Sequence, residues 1–462
     1  MRITVEHQND NLPYHIFEAI QIFFGVKNDF VFIRNSESLR IMVNDGQDGV
    51  LCIDDTDKKQ SKRDVYVFLS KVLGYESPWG CMTGIRPVKV ANTLYERNHT
   101  TEDIRKHFKE FYLIRDDKIE LIINTANVQK RFLEEQKRSN NYIGFYSGIP
   151  FCPTRCLYCS FTSNPIGRYK KVVDKYLDVL EEEIKGTAQL IKEKNLVIRT
   201  LYLGGGTPTS LNEEQFERYL SMLTDNLELS CVSEFSLEAG RPDSITLEKL
   251  RIARKHGVNR ISINPQTMNN KTLKLIGRMH TKEQIIEAFH FARETGFENI
   301  NMDIIAGLPD ETLEMFENTL EEIEKLDPDS LTVHTLSIKK AANLKEDIEK
   351  QKLLNAEIVD TMVDKAENFA SRLNMRPYYM YRQKNILGNH ENVAYCKQGC
   401  ESPYNIHIME EDQTIMAVGA GAVTKVVYDN GRIERAFNMK SVEDYISRKE
   451  IGIERKRALL SL

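Results

Sequence analysis

The sequence predicts an α/β protein. Its centre is a partial (β/α)6 barrel, with a small N-terminal α+β domain before it and a C-terminal α+β extension after it. Three observations carry this. From residue 142 onward, short apolar strand patterns alternate with amphipathic helical patterns, which implies a parallel sheet with helices outside. Six such units fit a barrel about three-quarters closed. The residues with chemical potential fall where strands end, which is the face on which such barrels carry their sites.

The elements follow in order. Arg2–Glu6 reads as a strand and Tyr14–Phe24 as a helix. Phe30–Ile33 and Leu39–Val43 read as strands joined by a turn over Asn35–Ser38, and Val65–Leu73 as a helix closed by Gly74. These make a first domain over 1–75. Residues 76–140 form a helical linker region, with Pro87 opening one helix and Asp116–Lys137 forming a long amphipathic one. The barrel occupies 141–340. Tyr142–Ser147 is its first strand, and further strands lie at Ile198–Leu203, Glu234–Glu238, Arg260–Ile263, Ile300–Ile305 and Ser330–His334. Helices are expected at 168–194, 213–226, 246–256, 283–295 and 312–326. Residues 341–462 form the C-terminal domain, placed over the barrel mouth. It opens with a long helix over 346–373 and holds a strand pair at Ile406–Met409 and Ala422–Val427.

Composition narrows the class. A net charge of −5 argues against a general nucleic-acid binder, and Lys137–Arg138 and Arg455–Arg457 read as solvated faces. No run of 18 apolar residues implies a membrane span, and the first residues lack the apolar stretch of a signal peptide. A cytoplasmic, reduced protein is expected, so its 8 cysteines read as metal ligands or free thiols.

Three of those cysteines are the strongest signal. Cys152, Cys156 and Cys159 stand in Gly-Ile-Pro-Phe-Cys-Pro-Thr-Arg-Cys-Leu-Tyr-Cys-Ser-Phe. Three thiolates on one loop can hold three irons of a [4Fe–4S] cluster and leave the fourth open, whereas a structural cluster takes four cysteines. The open iron suits a ligand with an amino group and a carboxylate, such as S-adenosylmethionine (SAM). A zinc site is the plainer alternative, but it prefers Cys-x2-Cys pairs and needs a fourth ligand that the neighbouring residues do not supply. Cys396 and Cys400 have no second pair to complete a site, and Cys52, Cys81 and Cys231 are scattered.

Other groups surround that loop in the predicted barrel. Gly204-Gly-Gly-Thr-Pro-Thr209 follows a strand and lets a ligand approach the backbone. A tight turn is the alternative, and the pattern is not a phosphate loop. Glu238 ends a strand at the same rim. Arg260, Ser262, Asn264 and Gln266 share a face at period two, and buried Arg and Gln need polar partners. Asp303 sits mid-strand, with Arg278 as its counter-charge or as a helix cap. Tyr146 is either a core aromatic or a ligand contact.

These motifs together resemble one branch of the radical SAM superfamily. The Cys-x3-Cys-x2-Cys run has an aromatic before its last cysteine. It is joined by Leu-Tyr-Leu-Gly-Gly-Gly-Thr-Pro-Thr, Arg-Ile-Ser-Ile-Asn-Pro-Gln-Thr and Asp-Ile-Ile-Ala-Gly-Leu-Pro. The set is similar to the oxygen-independent coproporphyrinogen III oxidases (dehydrogenases). The N-terminal extension and Pro78–Pro87 look most like the HemZ-type members. The resemblance implies a radical SAM barrel holding a [4Fe–4S] cluster on Cys152, Cys156 and Cys159. It implies SAM contacts at Tyr146, Gly205, Glu238 and Val423, with Tyr146 at the catalytic centre. A second SAM would meet Tyr158, Gly206, Thr207, Gln266, Arg278, Asp303 and Ser337. The implied activity is oxidative decarboxylation of coproporphyrinogen III propionates to vinyl groups in anaerobic haem biosynthesis, by a radical derived from SAM. The implied partners are a tetrapyrrole and a low-potential electron donor such as flavodoxin or ferredoxin.

Two departures stand out. Gly148 replaces a histidine that many relatives carry before Ile-Pro-Phe-Cys. Tyr404-Asn-Ile-His-Ile-Met409 stands where haem-carrying relatives have His-Asn-x-x-Tyr-Trp. The alternatives are another radical SAM reaction on a tetrapyrrole, such as methyl transfer or ring opening, and haem chaperoning.

Overall fold

The computed structural model describes residues 1–7, 12–23, 29–34, 39–84, 86–161, 163–337, 356–383 and 389–461. At the N-terminus, β1 (Arg2–His7), β2 (Asp29–Arg34), β3 (Arg40–Val43) and β4 (Gly49–Cys52) form a four-stranded sheet in the order β2-β1-β3-β4. The sequence suggests that β2 and β3 are joined by a turn. In the fold they do not pair: β1 lies between them, parallel to β2 and antiparallel to β3. Four consecutive buried residues in β1 mark it as the central strand. The turn itself, 35–38, lies outside the described residues. The helix Lys58–Leu73 begins well before Val65, where the apolar pattern starts. Asp57 accepts hydrogen bonds from the Lys59 and Gln60 amides, and Gly74 closes the helix at φ +61. That cap explains the early start.

Helices Pro87–Glu96, Thr101–Lys106 and Asp116–Lys137 connect this sheet to the barrel. The connection includes buried polar contacts. Trp79 Nε1 donates to Glu391 Oε2 at 2.6 Å, and Lys118 Nζ lies 2.9 Å from Glu391 Oε1 with both side chains buried. Such a pair is costly to break from one side.

The second sheet has eleven strands. Its barrel strands are β5 (Tyr142–Ile149), β8 (Val197–Gly205), β9 (Glu234–Glu238), β10 (Arg260–Ser262), β11 (Ile300–Ala306) and β12 (Ser330–Thr335). All six pair in parallel with their neighbours in chain order. A short pair, β6 (Phe151–Cys152) and β7 (Asn164–Pro165), braces the loop between β5 and β8. The expected (β/α)6 alternation and mixed α/β architecture are thus present.

The C-terminal segment adds strands to both edges of this sheet. On one side, β13 (Arg376–Arg382) and β14 (Glu391–Cys396) extend it antiparallel beyond β12. On the other, β15 (Thr414–Val418) pairs parallel with β5, and β16 (Val423–Val427) and β17 (Ile433–Phe437) follow antiparallel. The expected strand at Ile406–Met409 is wrong. Those residues lie in the helix Pro403–Glu410, capped by the Ser402 side chain with proline in the first turn. Only 356–372 of the expected helix 346–373 falls within the described residues, and it is helical (Ala356–Arg372). Lys456 is not on a solvated face: it is buried against Glu183 in an ion pair. Among the described residues no helix is long and apolar enough to cross a membrane.

Candidate active site

The C-terminal ends of the barrel strands enclose a cavity of about 410 Å³. β5 runs directly into the cysteine loop, and Cys152, Cys156 and Cys159 all line this cavity. The loop is pinned from beneath. Arg241, buried, donates to the Thr154 carbonyl at 3.0 Å and to Thr154 Oγ1 at 2.9 Å, and its Nη1 lies 3.7 Å from Cys156 Sγ. Asp243 takes the remaining guanidinium edge at 2.8 and 3.0 Å. The Leu157 amide donates to Ile276 O at 3.0 Å, tying the loop to the C-terminal end of the helix Asn270–Leu275. Burial pushes the Cys152 thiol up to about 11 and Cys159 upward as well, so these sulfurs ionise only with a cationic partner.

Glycines shape the wall next to the cysteine loop. Gly204 and Gly205 line the cavity, and Gly205 adopts φ +99. Gly206 does not line it. It packs beneath: a Cβ there would sit 2.4 Å from Phe151 O and 3.0 Å from Cys152 Sγ. Thr207 lines the cavity with its Oγ1 3.4 Å from Cys152 Sγ.

Two carboxylates face each other across the site. Glu238, at the end of β9, accepts from the Tyr202 hydroxyl and from Asn264 Nδ2 at 3.2 Å. Burial raises its pKa, reinforced by the charge of Asp303, and Tyr202 and Arg260 oppose the rise. Asp303 is half-buried, and its desolvation is outweighed by the His334, Asn301 and Thr332 side chains, which hold its carboxyl below the usual range. Asn301 Nδ2 donates to Asp303 at 2.8 Å, and His334 Nε2 lies at 3.5 Å. The pair is therefore split: Asp303 stays ionised while Glu238 is the readier to take a proton.

Arg278 is a site residue and not a helix cap. It donates to Tyr158 Oη at 3.1 Å and to Gly240 O at 3.0 Å, at the cavity wall. Gln266 holds φ +67 and bridges to Ile304, which turns its side chain to the cavity. Tyr146, Tyr158 and Ser337 also line it. Val423 does not; it begins β16, which lies between β15 and the edge strand β17. Sequence reasoning missed Arg241, Tyr202, His334 and Tyr381 as members of the site. Only Tyr202 carried a signal, two residues before the glycine run. Cys396 is buried and Cys400 half-buried, neither in this cavity.

The residues fit a [4Fe–4S] cluster with SAM. The donor set is all sulfur and lies along one wall. Among the described residues, no three His, Cys, Asp or Glu converge on a point that could hold a single metal ion. Asn264 Oδ1 and Gln266 Oε1 are buried without a hydrogen-bond partner, and a ligand carrying donors would satisfy both.

A cysteine-looped barrel of this form defines the radical SAM class, and the Radical SAM superfamily matches residues 146–323. That membership implies a [4Fe–4S] cluster and SAM. The chain is 42% identical over 398 residues to the oxygen-independent coproporphyrinogen-III oxidase-like protein HemZ of Bacillus subtilis, covering 85% of this chain and 79% of that one. It is 34% identical over 302 residues to the heme chaperone HemW of the same organism, covering 65% and 74%. The solved structure of Escherichia coli coproporphyrinogen III oxidase (HemN), a radical SAM enzyme, superposes with a TM-score of 0.54 at 25% identity over 70% of this chain and 72% of that one. The chain therefore belongs to the oxygen-independent coproporphyrinogen-III oxidase-like family of radical SAM proteins.

Proposed function

We propose that the protein oxidatively decarboxylates propionate side chains of coproporphyrinogen III to vinyl groups, yielding protoporphyrinogen IX. One observation carries this reading: the three-thiol loop, the glycine wall and the split carboxylate pair open on a single cavity. Bound there, the cluster and SAM supply the one-electron chemistry that removes a hydrogen atom from a propionate β-carbon. Loss of CO2 from the propionate, with its one electron passed to an external electron acceptor, would leave the vinyl group.

The chain's own residues do the rest. Arg241 and Gly206 set the thiol loop. Gly204, Gly205, Tyr146 and Glu238 hold a first SAM. Tyr158, Thr207, Gln266, Arg278, Asp303 and Ser337 hold a second, with Gly206 packed beneath them. Asp303, kept ionised by His334, offers a fixed negative charge to hydroxyl or ammonium donors. Enclosure by the barrel limits water at the reacting carbon. A low-potential carrier such as flavodoxin or ferredoxin provides the electron.

The 34% identity to a heme chaperone favours haem carriage as a second reading. Against it, the segment around His407 is a buried helix, and His407 Nδ1 is engaged by Asp412 at 3.0 Å. Anaerobic incubation with coproporphyrinogen III, SAM and a reductant separates the two. Vinyl product with 5′-deoxyadenosine supports decarboxylation. Stoichiometric haem binding without 5′-deoxyadenosine refutes it.

A further inference from the structure

Deep in the barrel, one buried cation makes no hydrogen bond or ion pair among the described residues, and Tyr378, Glu234, Tyr202 and Glu238 act on it only through space. Arg260 opens β10 and pairs with Ser236, two residues below Glu238 on the neighbouring strand. Its side chain is 1% exposed and lines the cavity. Among the described residues its buried Nε meets no acceptor, and no carboxylate forms an ion pair with it.

The two acids near it are engaged elsewhere. Glu234 accepts from Ser236 Oγ at 2.6 Å, Ser402 Oγ at 2.7 Å and the Tyr404 amide at 2.9 Å. Glu238 is held by Tyr202 and Asn264. Both act on Arg260 only through space. A buried guanidinium without hydrogen bonds is costly, and the fork of N–H groups matches a carboxylate in two-point contact. Tyr379 and Asn405, from the C-terminal segment, line the same cavity and add polar groups to this floor.

We propose that Arg260 is a carboxylate-binding residue at the cavity floor, and that it takes one propionate of the tetrapyrrole. This rests on the decarboxylase reading and names the group that anchors its substrate.

The test is fluorescence titration of the reconstituted full chain with coproporphyrin III, an air-stable tetracarboxylate, alongside separate titration with SAM. Arg260→Met should weaken coproporphyrin III by about 10- to 100-fold, the range of a lost charge-assisted hydrogen-bonded contact, and leave SAM binding within a few-fold. Arg260→Lys keeps the charge and should lie between wild type and Arg260→Met. It also carries the test alone if the methionine variant does not fold. Unchanged coproporphyrin III affinity in both variants overturns the inference while the decarboxylase reading stands. Weakened SAM binding with unchanged coproporphyrin III assigns the carboxylate to SAM and also overturns it. A wild-type protein that does not bind coproporphyrin III removes both the inference and the reading beneath it.

Discussion

Replacing Gly206 by alanine tests how closely the cysteine loop depends on the glycine wall. An added Cβ would lie 2.4 Å from Phe151 O, 2.9 Å from Phe151 C and 3.0 Å from Cys152 Sγ, where ordinary contact begins at 3.4 Å. The obstacle is backbone, so no side chain can rotate away. The neighbouring strand must move by about 1 Å, and it is held where it is by the Thr207 amide donating to Phe151 O at 2.7 Å and the Gly206 amide donating to Ile149 O at 2.7 Å. Overpacking of this kind costs roughly 1–3 kcal/mol. The larger effect falls on Cys152, since ligand positions must be met to within about 0.2 Å. Gly206→Ala should fold with a lowered melting temperature and fail to assemble a full cluster. The assay is iron and sulfide per chain after anaerobic reconstitution, with the visible absorption of the cluster. Gly204→Ala is the control: its Cβ meets Tyr146 and Tyr202 at 3.5 Å, ordinary contact, and it should assemble normally. Full iron content in Gly206→Ala would refute the reasoning.

Further substitutions probe other parts of the account. Arg241→Met removes the loop's buried anchor and leaves Asp243 with only His280 as a partner, so cluster yield should fall several-fold on iron analysis while the secondary structure is kept. Tyr202→Phe deletes a donor to Glu238; SAM affinity by equilibrium dialysis should fall by about 10-fold or more. The loss should be greater at low pH, because the carboxyl, already raised by burial, loses an opposing hydrogen bond. Glu311 is buried away from the cavity, and burial raises its pKa from 4.5 to about 7. The stability gained from keeping it protonated is fully present below pH 4.5 and lost as pH rises through about 7. Above that, the ionised group costs on the order of 3 kcal/mol. Glu311→Gln should therefore raise the melting temperature at pH 8 and do little at pH 4.5; equal shifts at both pH values would contradict this.

Much of the fold is legible because its barrel strands follow one another in sequence and in space. Arg260 and Ser262 both lie on the cavity because strand alternation fixes which face a side chain takes, and Asn264, Gln266, Gly204 and Gly205 line it as well. What was not legible depends on distant pairing. β15 joins β5 across more than 250 residues of chain, and no local pattern encodes that partnership. The helix at Pro403–Glu410 reads as a strand in sequence because Ile406-His-Ile sets one polar residue between two β-branched ones, while its cap, Ser402 followed by proline, gives the true signal. Arg241 was invisible because its importance lies in what it touches. His334 likewise gains meaning only when β12 lies beside β11 and brings it to Asp303.

The central claim is tested most directly by mass spectrometry of the tetrapyrrole after anaerobic turnover with coproporphyrinogen III, SAM and reductant, with Cys156→Ala alongside. The account predicts successive loss of propionate carboxyls to vinyl groups, matched by methionine and 5′-deoxyadenosine, and none of these products from the variant. SAM consumption with the four propionates intact, or vinyl product from Cys156→Ala, would contradict it.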